Sequence, residues 1–308
     1  MKKIAITGGV SAFWSKNMRA LRVLSTVAGL LVAFAQHGMA AESKAIGLGK
    51  PVAASLRPDI FYWPFDDGIV GESEPSAVAD LSGNGFEGHI INGRKDGNKL
   101  IYAEGKFGTG VYAQGFDANV SWKETSRFNA ASDPSKLILK NQPFTGGVWF
   151  KMDDLRPAGH APIRVMGALN GKPVGLWRLG VTQAKLSKGQ PSDDQDLSAQ
   201  PEGSSWNLSF EVGGAIKGKS TAATEAFADR KWHHIGFSVS PAQDPSSAGA
   251  EREFTVIYWL DGEMFETNTF SAVPPEFEPG SLSLVMGWRV WGMMDDAFLT
   301  SGVYGFKK

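Results

Sequence analysis

From Pro58 onward the chain alternates short apolar runs with turn residues. Ten runs carry the pattern: "DIFYWPF", "FEGHIING", "TGVYAQGF", "GGVWFKM", "APIRVMGAL", "VGLWRLGV", "SSWNLSFEV", "KWHHIGFSVS", "FTVIYWLDG" and "SLSLVMGWRV". Each has the length of a strand, and Gly, Pro, Asn, Asp or Ser stands between them. In "HHIGFSVS", Ile235, Phe237 and Val239 take one side while His234, Gly236, Ser238 and Ser240 take the other, the period of a strand with one buried face. In "FTVIYWLDG" both sides are largely apolar, which predicts a central strand or one whose second face lines a groove. No long helical period intervenes. The pattern therefore predicts an all-β fold, a two-sheet antiparallel β-sandwich or jelly roll.

Other stretches lack the period. Gln183–Ser204 and Ser240–Glu253 are polar, carry Pro and Gly, and are predicted to be surface loops. Residues 41–57, "AESKAIGLGKPVAASLR", are small and unpatterned, and read as a linker ahead of a domain over 58–308. Before them, "MRALRVLSTVAGLLVAFAQHGMAAES" has two arginines, an apolar run from Val23 to Ala35, and Gly38 and Ala40 ahead of Ala41. That is the layout of a signal peptide over residues 1–40, cleaved between Ala40 and Ala41. Its apolar run is too short to cross a bilayer, so no membrane anchor is expected after removal. Met18 opens a leader of ordinary proportions and is the expected true start. The destination implied is the periplasm or the cell exterior.

Composition narrows the function classes. A net charge of −1 on 308 residues, 42% of them hydrophobic, excludes disorder and a nucleic acid held by basic charge. The chain has no cysteine, which removes disulfides, an acylated lipoprotein anchor and every thiolate ligand or nucleophile. Stability then rests on a sizeable core, with a hard cation bound through oxygen as the remaining aid.

Seven motifs follow one another in a distinctive order: "YWPFDDG", "DLSGNGFEG", "GKFGTGVYAQGF", "PFTGGVWFK", "KWHHIGFSV", "YWLDGE" and "MMDDAFL". In that order they resemble the laminin-G-like jelly-roll modules of the concanavalin A-like lectin/glucanase superfamily, over about residues 58–300. The resemblance implies a structural calcium ion where the first turns meet the last strand, and a concave sheet that binds glycans. Two differences stand out. After Asp296 the chain runs to "SGVYGFKK" where the family continues into a strand and short helix, and Gln183–Ser204 is inserted in the middle.

The "DLSGNG" turn offers Asp80 and Asn84 as oxygen ligands, with Gly83 and Gly85 free to aim carbonyls at an ion, and the resemblance brings Asp295 to complete a calcium cage. The alternative is a plain turn in which Asp66, Asp67 and Asp80 are solvated or cap local amides. For a glycan, flat indoles beside amide and charged groups are the expected chemistry. Trp177 and Trp206 lie on mid-chain strands that the resemblance places near the concave sheet, with Arg178, Asn207 and Glu211 beside them. These five are the candidate ligand-binding residues; the competing reading puts both tryptophans in the core with Trp149, Trp232, Trp259 and Trp288.

His233 and His234, being adjacent on a strand, point to opposite faces and read as structural rather than as a metal pair. Glycosidases of this superfamily carry alternating carboxylates on one strand, whereas Glu251/Glu253 and Glu276/Glu278 fall beside a loop or a Pro-rich segment, and the pairs Asp66/Asp67, Asp153/Asp154 and Asp295/Asp296 are side by side. The expectation is an exported, non-catalytic carbohydrate-binding module. A protein-docking or adhesion module is the first alternative, and a glycan hydrolase or lyase the second.

Overall fold

The computed structural model describes residues 45–92, 99–115, 118–123, 133–138, 142–153, 159–185, 205–213, 215–241 and 251–308. The signal segment, residues 41–44 and most of the two polar loops lie outside the described residues.

Two antiparallel sheets form a β-sandwich. The first runs through β12 (Ala215–Lys219), β11 (Ser205–Val212), β10 (Lys172–Lys185), β9 (Gly159–Leu169), β16 (Ser283–Trp288), β7 (Asn119–Lys123), β4 (Gly88–Ile91) and β3 (Ala77–Val78). The second runs through β15 (Glu263–Ala272), β14 (Arg252–Leu260), β13 (His233–Pro241), β8 (Phe144–Met152), β17 (Val290–Ser301), β6 (Thr109–Gly115) and β5 (Leu100–Glu104), with β2 (Phe61–Trp63) paired to one end of β17. A parallel ribbon joins β1 (Ala45–Gly47) to β18 (Gly305–Lys307).

Every one of the ten apolar runs holds a strand, and the inward residues of both sheets fuse into one core. Trp177 stacks on Phe210 with centroids 5.8 Å apart and planes 16° apart, and Phe144 and Phe237 of the facing sheet close round that pair. Fully burying a side chain such as Phe237 contributes about 1.5–3 kcal/mol, so these aromatic layers carry much of the fold. The apolar second face of β14 has a different cause from a central position, because β14 lies next to the edge strand β15. There Trp259 packs on Phe306, 5.7 Å between centroids.

Phe306 belongs to a second cluster on the outward face of the second sheet, with Ile46, Leu48, Val52, Tyr62, Trp149 and Phe298. This corrects the reading of 41–57 as linker. From Ala45 the segment is part of the fold: β1 pairs with β18, Ile46 and Val52 are buried, and the Val52 amide donates to Asp296 Oδ2 at 2.9 Å. Three-residue strands are too short to show a period, and so the pattern missed both β1 and β18.

Candidate functional site

The alternation that builds the core also decides what faces away from it. On β11, Trp206, Leu208, Phe210 and Val212 point into the sandwich, so Asn207, Ser209 and Glu211 point out. On β10, Trp177, Leu179 and Val181 point in and Arg178, Gly180 and Thr182 point out; on β9, Arg164 points out between Ile163 and Val165. Register then places Glu211 opposite Arg178, Arg178 opposite Arg164, and Arg164 opposite Val285. Further along the same row stand Ser121 and His89.

Trp288 completes the cluster. It ends β16, and Arg289, in left-handed backbone at φ 58°, swings the chain across into β17 of the other sheet. The guanidinium carbons of Arg164, Arg289 and Arg178 lie 4.1, 5.2 and 5.7 Å from the Trp288 ring centroid. Arg178 also forms an ion pair with Glu211, whose side chain is only 6% exposed. Burial, and then the neighbouring charge of Arg178, pull the Arg164 guanidinium down to about 10, with Glu211 acting the other way; it remains a cation at neutral pH. Burial raises the Glu211 carboxyl from its ordinary value against the pull of Arg178 and Arg164.

Of the five residues proposed for ligand binding, Arg178 and Glu211 come together here. Asn207 shares their face, but its Nδ2 donates to the carbonyls of Ser220 and Ala222, both at 2.8 Å, and so fastens the segment after β12. Trp177 and Trp206 are fully buried in the core and offer no ring to a ligand. The Trp177 indole N–H donates to the Leu137 carbonyl at 2.7 Å. The reason is the two-residue period: Trp177 and Arg178, like Trp206 and Asn207, are chain neighbours on a strand and cannot share a face. Arg164, Trp288 and Arg289 join the site without a motif that marks them in the sequence. Alternation in "PIRVM" exposes Arg164, whereas the period of Leu284 and Met286 would send Trp288 inward, and only the left-handed Gly287, at φ 87°, interrupts it.

The proposed calcium ligands Asp80, Asn84 and Asp295 are each engaged in bonds within the protein. Asp80 Oδ1 accepts from the amides of Tyr62 and Ser82 at 2.9 and 3.0 Å, and Oδ2 from the Phe86 amide and the Ser82 hydroxyl at 2.9 Å each. Asn84 gives its Nδ2 to the Asp59 and Ile60 carbonyls, and its Oδ1 accepts from the Lys136 ammonium at 2.7 Å. Their donors and acceptors are thus spent on local bonds, and among the described residues no group of three or more His, Asp or Glu side chains converges as a metal site. Asp295 is buried; it accepts from the amides of Phe107 and Asp296 at 2.8 and 2.7 Å, and burial pushes its carboxyl up to about 8. Asp296 accepts from the Tyr62 hydroxyl at 2.7 Å as well as from Val52, and burial pushes it to about 6. Asp296 ties β17 to the N-terminal segment, and Asp295 ties it to the turn between β5 and β6.

His233 and His234 do point to opposite sides. His233 bonds Asp261 and Asp229, while His234, held down to about 3 by burial, packs between Trp149 and Phe306. Glu278 accepts from the Asn170 amide at 2.6 Å and so pins the β9–β10 turn. A cavity of about 470 Å³ is lined by Ile60, Lys136, Ile138, Phe144 and Ser301 among others, and shares no residue with the arginine row.

No family model matches the chain, and no curated protein matches it. Among solved structures it is similar to a Trypanosoma rangeli sialidase in complex with sialic acid, at 12% identity and a TM-score of 0.35, covering 77% of this chain and 30% of that one. It is also similar to the alginate lyase AlgAT5 from Polysaccharide Lyase family 7, at 9% identity and a TM-score of 0.32, covering 79% of this chain and 94% of that one. The chain thus spans under a third of the sialidase's length, and neither likeness assigns it a ligand or an activity.

Proposed function

We propose that the chain is an exported, non-catalytic glycan-binding module of the laminin-G-like kind, which holds its ligand on the outward face of the first sheet. The observation that carries this reading is the cluster of Arg164, Arg178 and Glu211 around the Trp288 ring. An indole covers the apolar face of a sugar ring, and guanidinium and carboxylate groups at fixed positions bond its hydroxyls. Trp288, rather than the buried Trp177 or Trp206, is the indole on this face.

Two features favour binding over catalysis. Hydrolysis by the usual route needs two carboxyl groups about 5–9.5 Å apart, and the arginine row holds one, already tied to Arg178. A general base could come from His89 on the same row, but it stands three strands from Arg164, roughly 14 Å away at the usual strand spacing, too far to serve one sugar. The protein-docking alternative calls for an apolar patch, whereas this face carries charged groups around a single indole.

The test is affinity electrophoresis of the purified chain through gels containing a panel of neutral and acidic polysaccharides. Retardation by at least one polymer, relieved by its free oligosaccharide, is the expected result. Uniform mobility across the panel would move the assignment to a protein partner.

A further inference from the structure

We infer that the arginine row selects an acidic glycan, one whose sugar units carry a carboxylate or sulfate, with Arg164 as the residue that meets the anion. This rests on the glycan reading above and names the class of sugar.

Charge at the site is out of balance. Arg178 has Glu211 as its counterion, whereas Arg164, directly across the ladder from Arg178, makes no ion pair among the described residues. Arg164 and Arg178 therefore face one carboxylate across the ladder, with the Arg289 guanidinium at the same ring, on a half-buried stretch of sheet in a chain whose net charge is −1. The cationic patch is local and does not follow from an overall basic composition. A half-buried guanidinium beside a like charge is costly to keep, and an anion arriving there would recover that cost.

Geometry supplies the rest. The Arg164 guanidinium is held over the Trp288 ring at 4.1 Å, which restricts its motion before any ligand arrives. Its five N–H donors form a rigid planar fork that matches a carboxylate or sulfate in bidentate fashion. The indole is only partly buried, and the sugar ring that bears the anion would lie against the part the guanidinium groups leave open. A neutral sugar would satisfy the indole and leave the fork unpaired, whereas an acidic one engages both. A nucleic acid would call for many cations along a track, and the row offers one without a counterion.

The experiment compares polymers that differ only in charge. The full chain is titrated with a polyuronate and with the same polymer after its carboxyl groups have been reduced to alcohols; dextran sulfate and dextran form the second pair, and polyglutamate serves as a polyanion without sugar. We expect one acidic polymer to bind at least about 10-fold tighter than its neutral partner, the worth of a charge-assisted hydrogen bond pair. Arg164→Gln should erase that difference, bringing the acidic polymer's affinity down to that of its neutral partner measured on the same variant. Preference within the uronate pair assigns a carboxylate, and preference within the sulfate pair assigns a sulfate ester.

Equal binding of charged and neutral partners overturns the acidic assignment and leaves the glycan reading in place. If no polymer binds, the glycan reading fails as well. Polyglutamate binding as tightly as the acidic glycan would also overturn the inference, since charge alone would then suffice. Should Arg164→Gln not fold, salt titration of the native chain decides: raising NaCl must weaken the acidic polymer's binding and spare its neutral partner's.

Discussion

Arg164 holds its guanidinium 4.1 Å from the centre of the Trp288 ring, although the two residues lie on different strands and 124 positions apart in the chain. The period of Leu284 and Met286 would send Trp288 inward, but Gly287, in left-handed backbone at φ 87°, interrupts it just before that residue, and Arg289, also left-handed, then opens β17 in the other sheet. The contact joins a cation and an indole on an outward sheet face where the strand period alone shows only Arg164.

Glu211 and Arg178 depend on one another. Arg178→Ala leaves a carboxylate whose side chain is only 6% exposed without its ion pair, so the variant is expected to lose about 1–3 kcal/mol. Changing both to a polar but uncharged pair, Arg178→Gln with Glu211→Gln, should recover much of that loss. Denaturant melts of the native chain, the single variant and the double variant check this; additive losses would show that the pair is uncoupled.

His233 predicts a pH profile. Burial opposes its charged form, but the bonds to Asp261 at 2.7 Å and Asp229 at 3.0 Å outweigh burial and raise it above its ordinary 6.5. A raised group contributes stability that is fully present below 6.5 and lost as pH rises through the folded value. Asp261 and Asp229 are lowered from 3.8, so their share is present above that value and lost as pH falls through the folded values. His233→Gln should therefore lower Tm most between about pH 4 and 6.5, by roughly 2–4 °C, and least near pH 9. A Tm difference that stays constant with pH would contradict the ion-pair assignment.

The C-terminal residues are expected to be structural. A side chain at Gly236 would place its Cβ 2.5 Å from the Phe306 ring, so Gly236 is what lets β18 lie down on the second sheet. Gly236→Val should cost about 1–3 kcal/mol and free the last residues to proteolysis. Adding Phe306→Ala should then cost less than it does in the native chain, because the contact is already broken.

The ten runs were legible because period and turn residues agreed, and the two-sheet sandwich followed from them. β1 and β18 were not, since three residues carry no period and their burial depends on each other and on Trp149 and Phe298. "SLSLVMGWRV" read as one run, yet it holds the end of one strand and the start of another, split by the backbone of Arg289. At the site, Arg178 and Glu211 were legible as polar residues within apolar strands. Trp177 and Trp206 read as site residues only through the resemblance, whereas alternation makes each of them the inward neighbour of an outward polar residue.

The account turns on which tryptophan meets the ligand, and one paired comparison tests it: polysaccharide retention and Tm for Trp288→Ala beside Trp177→Ala. Trp288→Ala should lose most retention and keep its Tm within a few degrees, while Trp177→Ala should lose about 3–5 kcal/mol of stability, on the order of 10 °C. Retention unchanged in Trp288→Ala would contradict the assignment of the arginine row as the binding face.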